Sequence, residues 1–321
     1  MWKKTFHTVS LILLLLIASP FMVTGESTVE VMALSGTTGL SLVKLLEEQP
    51  TIYPGVTFNY TVLKSPDQIS AKIISGEADI AAVPTNLASI LYNRGIPLQL
   101  AAITNWGVMY VVGSASTISS WQDLKGQEIG VTGKGSTPDL LFRYFLTANG
   151  IDPEEDVTIR YYASPAELTQ LVIADKVRLA TLPEPWVTEA LSRNLSLTVL
   201  LDYQQTWQQL EQRSESYPQS ALVVKTQLAK ENPALVKAFL QAASDSNAWV
   251  VTQPSAAGLL AEKYLSISAP AATAAIPRCN LRLDEAYQVQ AEIDYFLEKL
   301  YSFQPQSIGG KLPDEEFYLQ K

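Results

Sequence analysis

Thiol and imidazole side chains are nearly missing from this chain. It has one cysteine, Cys279, and one histidine, His7. A lone cysteine rules out a disulfide within the chain, and the two scarcities together rule out a His/Cys zinc site. Positive charge is also scarce, with 23 Lys and Arg against 32 Asp and Glu, a formal net charge of −9. That balance argues against nucleic acid or an anionic membrane as the partner. The apolar run near the start, Leu11 to Ala18, is short for a membrane span of about 20 residues.

What is present suffices for a folded protein of two domains. The chain has 321 residues, 47% of them hydrophobic, enough for a core in each domain. At the start, Trp2-Lys3-Lys4 gives a positive end, Leu11 to Ala18 an apolar centre, and Val23-Thr24-Gly25 a small-residue end. This is the pattern of a secretory signal peptide, expected to cover residues 1–25 and to direct the chain to a secreted, periplasmic location. An uncleaved anchor is the alternative. No cysteine stands near the junction to carry a lipid. Cleavage would remove His7 and leave a mature chain without histidine.

The interior repeats itself. Gly36-Thr37-Thr38-Gly39 and Gly135-Ser136-Thr137-Pro138 stand 99 residues apart. At the same offset Ser65-Pro66-Asp67-Gln68 falls on Ser164-Pro165-Ala166-Glu167, and Ile80-Ala81-Ala82-Val83-Pro84 on Leu179-Ala180-Thr181-Leu182-Pro183. A shared register of this kind indicates an internal duplication of a βαβαβ unit. Within each copy, short apolar strands alternate with amphipathic helices, as in a mostly parallel α/β sheet. The Ser-Pro-x-Gln/Glu segments have capping-box form, with a hydroxyl N-cap, Pro at the first helical position and Gln or Glu at the third.

In the first copy a helix is expected from Leu40 to Glu48, and in the tail helices are expected at 233–252, 255–264 and 284–301. Tyr203 to Tyr217 is rich in Gln and Glu and is expected as a surface helix or loop. Ser220 to Lys225 is a fresh apolar strand, expected as a return crossing. The architecture that follows is α/β: two Rossmann-like lobes joined by a two-segment hinge. Lobe I is expected at 26–112 and 218–321, with the tail helices packed on it, and lobe II at 113–217. Two thin crossings permit closure about a ligand; a rigid pair of lobes is the alternative.

Several segments together resemble a known family. They are Gly76-Glu77-Ala78-Asp79-Ile80-Ala81 with Pro84-Thr85, Trp121-Gln122-Asp123-Leu124-Lys125-Gly126, Gly135-Ser136-Thr137-Pro138, and Leu182-Pro183-Glu184-Pro185-Trp186. To these the tail adds Ile276-Pro277-Arg278-Cys279-Asn280-Leu281. On them the chain resembles bacterial ABC-transporter substrate-binding proteins of the nitrate/sulfonate/taurine-binding (NMT1/THI5-like) branch. The resemblance implies a type II periplasmic-binding fold, a small-molecule ligand, an ABC permease in the membrane as partner, no cofactor, and no chemistry on the ligand. A monomer is expected.

In open α/β sheets ligands sit beyond the carboxyl ends of the strands. Four turns meet that condition. Three of them lead into helix N-termini, whose free N–H groups and partial positive charge suit an anion. The expected ligand-binding residues are therefore Ser35, Gly36, Thr37, Thr38, Pro84, Thr85, Asn86, Gly135, Ser136 and Thr137. The alternative is that each hydroxyl merely caps its own helix. Glu184 would repel an anion, so it is expected either to meet an amine or hydrogen-bond donor of a small polar ligand of the sulfonate, amine or pyrimidine-like range, such as an amino-sulfonate in place of nitrate, or to face solvent. Trp106 and Trp186 are expected to stack on a flat or cationic ligand, or to lie in the core.

Enzymes share this fold. A mature chain without histidine has no Ser-His-Asp or Cys-His mechanism, and no second carboxylate is placed to share acid–base work with Glu184. No catalytic residue is expected. A ligand-loaded sensory receptor is a further alternative.

Overall fold

The computed structural model describes residues 27–114 and 118–321. The segment read as a signal peptide, residues 1–25, lies outside the described residues. Strand β1 (Ser27–Leu34) leads through α1 (Thr37–Leu40) and α2 (Val43–Glu48) to β2 (Val56–Leu63), α3 (Pro66–Ile74), β3 (Ile80–Pro84), α4 (Thr85–Asn93) and β4 (Leu98–Trp106). Strand β5 (Met109–Gly113) precedes β6 (Glu128–Thr132), α5 (Thr137–Ala148), β7 (Thr158–Tyr162), α6 (Pro165–Ile173), β8 (Leu179–Pro183), α7 (Trp186–Arg193), β9 (Thr198–Asp202) and α8 (Tyr203–Glu211). The tail supplies β10 (Pro218–Lys225), α9 (Thr226–Glu231), α10 (Pro233–Thr252), α11 (Pro254–Leu265), α12 (Ala269–Ala275), β11 (Leu281–Glu285) and α13 (Gln290–Phe303).

These strands form two sheets. The first runs β2-β1-β3-β10-β4-β11 and the second β7-β6-β8-β5-β9. The first five positions of one match all five of the other, and the offset of 99 residues holds for α3 and α6 and for β3 and β8 at both ends. The duplication is thus structural. In each sheet the fourth strand is antiparallel to both neighbours: β10 lies between β3 and β4, and β5 between β8 and β9. Each of these strands enters straight after the chain has crossed from the other sheet. Because β5 pairs within the second sheet, the first crossing falls at Gly107 and Val108. The expected boundary at residue 112 therefore moves to the start of β5.

The serine caps are duplicated too. Ser65 accepts from the Gln68 amide at 3.4 Å and Ser164 from the Glu167 amide at 3.2 Å. The reciprocal arm reaches one residue further back than in the usual box. Gln68 accepts from the Lys64 N–H and Glu167 from the Ala163 N–H, each at 3.0 Å. Such caps stabilise a helix start by about 1 kcal/mol.

Three local expectations need correction. The helix expected over Leu40–Glu48 is broken at Ser41, whose hydroxyl donates to the Thr38 carbonyl at 3.0 Å while its own carbonyl accepts from Ser246 at 2.9 Å. Such side-chain bonds compete with the helical ladder. The segment from Tyr203 forms a helix with an outer face at Gln205 and Gln209, but it is not confined to the surface: Tyr203 and Trp207, one helical turn apart, are both buried. Asp202 starts their helix by accepting from the Gln204 and Gln205 amides. Finally, the tail helix expected from Asp284 begins at Gln290, because the preceding stretch forms β11 and covers the edge of β4.

The tail mostly covers the first sheet. Phe239 of α10 stacks on Phe58 of β2 at 5.6 Å. Helix α13, however, serves both lobes. Its Phe296, Leu297 and Leu300 share a core with Ala221 and Val223 of β10. Its other side meets the second lobe, where Phe296 lies 5.8 Å from Trp207 and Phe303 5.8 Å from Tyr144. Lys299 reaches Glu211 at 2.7 Å across the same seam.

Candidate ligand-binding cleft

The carboxyl edges of the two sheets face one another, and several of the expected residues meet there. Thr137, at the first position of α5, donates to the Asn86 side-chain oxygen at 2.8 Å, and both residues are buried. This bond joins the two lobes directly. Asn86 also donates to the Ser307 carbonyl at 3.2 Å. Thr38 shares a hydrogen bond of 3.1 Å with Ser220 of the returning strand β10. Thr85 is fully buried, and its hydroxyl has no partner among the described residues.

Among the described residues no N-cap side chain bonds into α1, α4 or α5, whereas α7 is met by the Glu184 carboxylate, which accepts from the Thr188 N–H. The hydroxyls at these turns are therefore not employed as caps, in contrast to Ser65 and Ser164. Gly36 needs its glycine because it takes a φ of 110° at the entry to α1. Gly39 needs its own for close approach: a Cβ there would stand 2.6 Å from the Leu34 carbonyl oxygen and 2.8 Å from Leu265.

Other candidates sit differently from expectation. Gly135 is exposed and Ser136 half-buried, and the Ser136 hydroxyl is turned back onto the Gly133 carbonyl at 2.5 Å. The loop is held from below by Asp139, which accepts from the Gly135 N–H at 2.8 Å. Asp139 is itself met by Arg143 at 3.1 Å and the Tyr161 hydroxyl at 2.9 Å. Trp106 is buried, its indole N–H donates to Asp284 at 2.8 Å, and Arg282 covers its ring at 4.8 Å. It belongs to the core and to the β11 seam, so its faces are not offered to a ligand.

Glu184 follows neither expected course. It is 0% exposed, and its carboxylate lies 2.5 Å from Arg278, whose own side chain is 43% exposed. The guanidinium aims its hydrogen bond at the Thr188 hydroxyl (2.6 Å), so its hold on the carboxylate is chiefly one of charge. The second carboxylate oxygen accepts from the Thr188 amide at 3.1 Å. Burial raises the Glu184 pKa above the ordinary carboxylate range, with Arg278 and Thr188 opposing it. The amine role expected of the ligand is filled by an arginine of the chain itself. Cys279, next to Arg278, is buried in the apolar cluster of α11 and α12, and burial pushes its thiol pKa up.

Beside these contacts lies a cavity of about 360 Å³ with walls from both lobes. Ser35, Val62, Lys64, Tyr264 and Leu265 line one side, and Ser164, Pro165, Ala166 and Trp186 the other. The Ser35 hydroxyl is donated to the Leu265 carbonyl at 2.7 Å. Trp186 packs partly on the apolar cluster of α11 and α12 and keeps some surface toward this space. The opening thus lies toward the ends of β1, β2, β7 and β8, while Asn86 and Thr137 stand in direct contact.

Sequence reasoning missed Lys64, Arg278, Ser220 and Tyr264. Lys64 had a usable signal, since it immediately precedes the repeated Ser-Pro cap. Arg278 stood within the tail segment that carries the family likeness. Nothing local marked Ser220 or Tyr264, which arrive through the crossing strand and the tail helices.

Two α/β lobes of this strand order, each completed by an antiparallel strand entering at a crossing, define the type II periplasmic-binding-protein fold. The chain belongs to the NMT1-like family, whose model matches residues 43–264. An ABC transporter structure from Parabacteroides distasonis superposes with a TM-score of 0.78 at 29% identity, covering 92% of this chain and 99% of that one. The periplasmic aliphatic sulphonate binding protein SsuA from Escherichia coli has the same fold, with a TM-score of 0.74 at 18% identity over 92% of each chain. In sequence, the nitrate/nitrite binding protein NrtA of Nostoc sp. (strain PCC 7120 / SAG 25.82 / UTEX 2576) is 25% identical over 134 residues, 42% of this chain and 28% of that protein. The bicarbonate transport ATP-binding protein CmpC of Synechococcus elongatus (strain ATCC 33912 / PCC 7942 / FACHB-805) is 27% identical over 212 residues, 64% of this chain and 30% of that protein. The chain spans less than a third of the length of these curated relatives.

Proposed function

We propose that the chain is the extracytoplasmic solute-binding component of an ABC importer. Its lobes close on a small polar solute, leave it chemically unaltered and deliver it, from a monomer, to a membrane permease. The observation that carries this reading is the interlobe cavity, whose volume falls within the range of about 300–1,000 Å³ usual for small-molecule sites. The names of the relatives, nitrate/nitrite binding and aliphatic sulphonate binding, support it. So do the uncapped helix starts at the carboxyl edges and the unpartnered Thr85 hydroxyl. No helix among the described residues is long and apolar enough to cross a membrane.

Within the sulfonate, amine and pyrimidine-like range, the cavity walls favour the first. Lys64 offers a cation, Trp186 and Tyr264 offer flat apolar surface, and Glu184 is occupied by Arg278. Native mass spectrometry of the purified protein should reveal a bound small molecule. After unfolding and refolding to strip it, an alkanesulfonate should raise the melting temperature, and Trp186→Ala and Lys64→Met should reduce that rise. No co-purified solute, together with no rise from sulfonates, pyrimidines, riboflavin-like rings or amino acids, refutes the role.

A further inference from the structure

Glu184 and Arg278 come from different lobes: Glu184 from the β8–α7 turn of the second sheet, Arg278 from the tail segment packed on the first. Around them α7 packs on α12. Ser268, just before α12, donates to Glu189 of α7 at 3.1 Å. Trp186 lies against the α11–α12 cluster. Among the described residues, the only counter-charge of this fully buried carboxylate therefore stands on the opposite lobe. Separating the lobes removes that counter-charge but admits water to the carboxylate. Holding them together without the arginine leaves a charge buried and uncompensated, a costly arrangement.

We propose that Arg278 is a positioning residue for lobe closure, which it favours by neutralising Glu184 only when the two lobes are together. This rests on the reading of the molecule as a closing pair of lobes and does not depend on which solute it takes. The pair acts as a conditional latch. Arginine suits the role because its stem crosses the seam half-exposed while its planar head reaches both the carboxylate and the Thr188 hydroxyl.

The latch predicts a particular pattern of loss and rescue. Arg278→Met keeps an apolar stem and strands the charge, so the closed-to-open ratio should fall by about tenfold or more. Glu184→Gln keeps an acceptor for the Thr188 amide without a charge, so it should leave the ratio near that of the parent. The double variant, Arg278→Met with Glu184→Gln, should regain most of what the single arginine variant loses. Arg278→Lys should retain closure in large part.

The measurement is small-angle X-ray scattering on full-length mature protein, stripped of solute by refolding, with the radius of gyration reporting lobe separation. A larger radius for Arg278→Met that returns to the parental value in the double variant supports the latch. An unchanged radius for Arg278→Met overturns it, as does an increase that Glu184→Gln fails to reverse. If Arg278→Met does not fold, circular dichroism of the double variant decides. A folded double variant supports the charge argument, and an unfolded one assigns Arg278 to packing and overturns it. A solute-free protein that shows the loss and rescue would preserve the latch even if the transport role failed.

Discussion

Trp207 to alanine tests how the two lobes are tied at the hinge. The indole is buried where α8, α13 and the start of β10 converge. Its ring centre lies 5.9 Å from Tyr217, 5.8 Å from Phe296, 6.2 Å from Tyr295 and 6.4 Å from Tyr144. Each such pair contributes about 0.5–1.5 kcal/mol beyond burial, and truncating a buried Trp to Ala costs about 3–5 kcal/mol once the cavity is included. Two of the partners, Tyr295 and Phe296, sit on α13, which also packs on the first sheet. Trp207 therefore carries part of the contact through which each lobe stabilises the other. In thermal unfolding by calorimetry, the parent should melt in one transition. Trp207→Ala should lower that transition by several degrees, at about 2–4 °C per kcal/mol for a protein of this size class, and broaden or split it. Trp207→Phe should lose less. A loss under 1 kcal/mol with a single sharp transition would refute the view of this cluster as the tie between the lobes.

Gly39→Ala should destabilise by about 1–3 kcal/mol, because the added methyl meets the Leu34 carbonyl and Leu265; urea titration checks this, and Gly55→Ala, with open space but a positive φ, serves as the comparison. Thr137→Val leaves the buried Asn86 oxygen without its donor and should cost about 1–3 kcal/mol, read as a fall in melting temperature. Glu211 tests acid sensitivity. Burial alone would raise its pKa, but Lys299 and the hydroxyls of Tyr144 and Tyr295 outweigh it and hold the group below the ordinary carboxylate range. Its stabilising contribution is thus present above the unfolded-state pKa and is lost as pH falls through the folded one. Stability of Glu211→Gln, measured by urea titration between pH 3 and 6, should fall less steeply with acid than that of the parent; equal slopes refute the assignment.

Elements built from local signals were legible in the sequence, and those built by distant chain were not. The repeated Ser-Pro caps set both α3 and α6, and the offset between the copies made β8 the counterpart of β3. Asn86 and Thr137 were marked by their position at strand ends, and they meet across the cleft. Ser136 was marked by the same rule yet turns away, because Asp139 pulls the preceding glycine loop down onto α5. The failures share a cause. The fate of Trp106 depends on Asp284 and Arg282, and that of Glu184 on Arg278, partners some 90 to 180 residues away. A hydrophobic pattern reports that a residue wants cover but not which segment supplies it. Tyr203 and Trp207 did carry such a pattern, a pair at helical spacing, outweighed by the glutamines around them.

The placement of β10 between β3 and β4 bears on how the molecule is made. As the chain emerges from its amino terminus, β3 and β4 are in hand while the strand that must separate them is more than 100 residues away. Until residue 218 arrives, the newborn first lobe is a sheet with a slot, its inner edges carrying unpaired amides and carbonyls. The second lobe has no such wait, since β5 precedes all four of its sheet partners. The order of manufacture is therefore the reverse of the order of reading: the half begun later is finished sooner. The earlier half must be kept from sticking to its neighbours in the interval, a demand that falls on whatever escorts the chain to its destination.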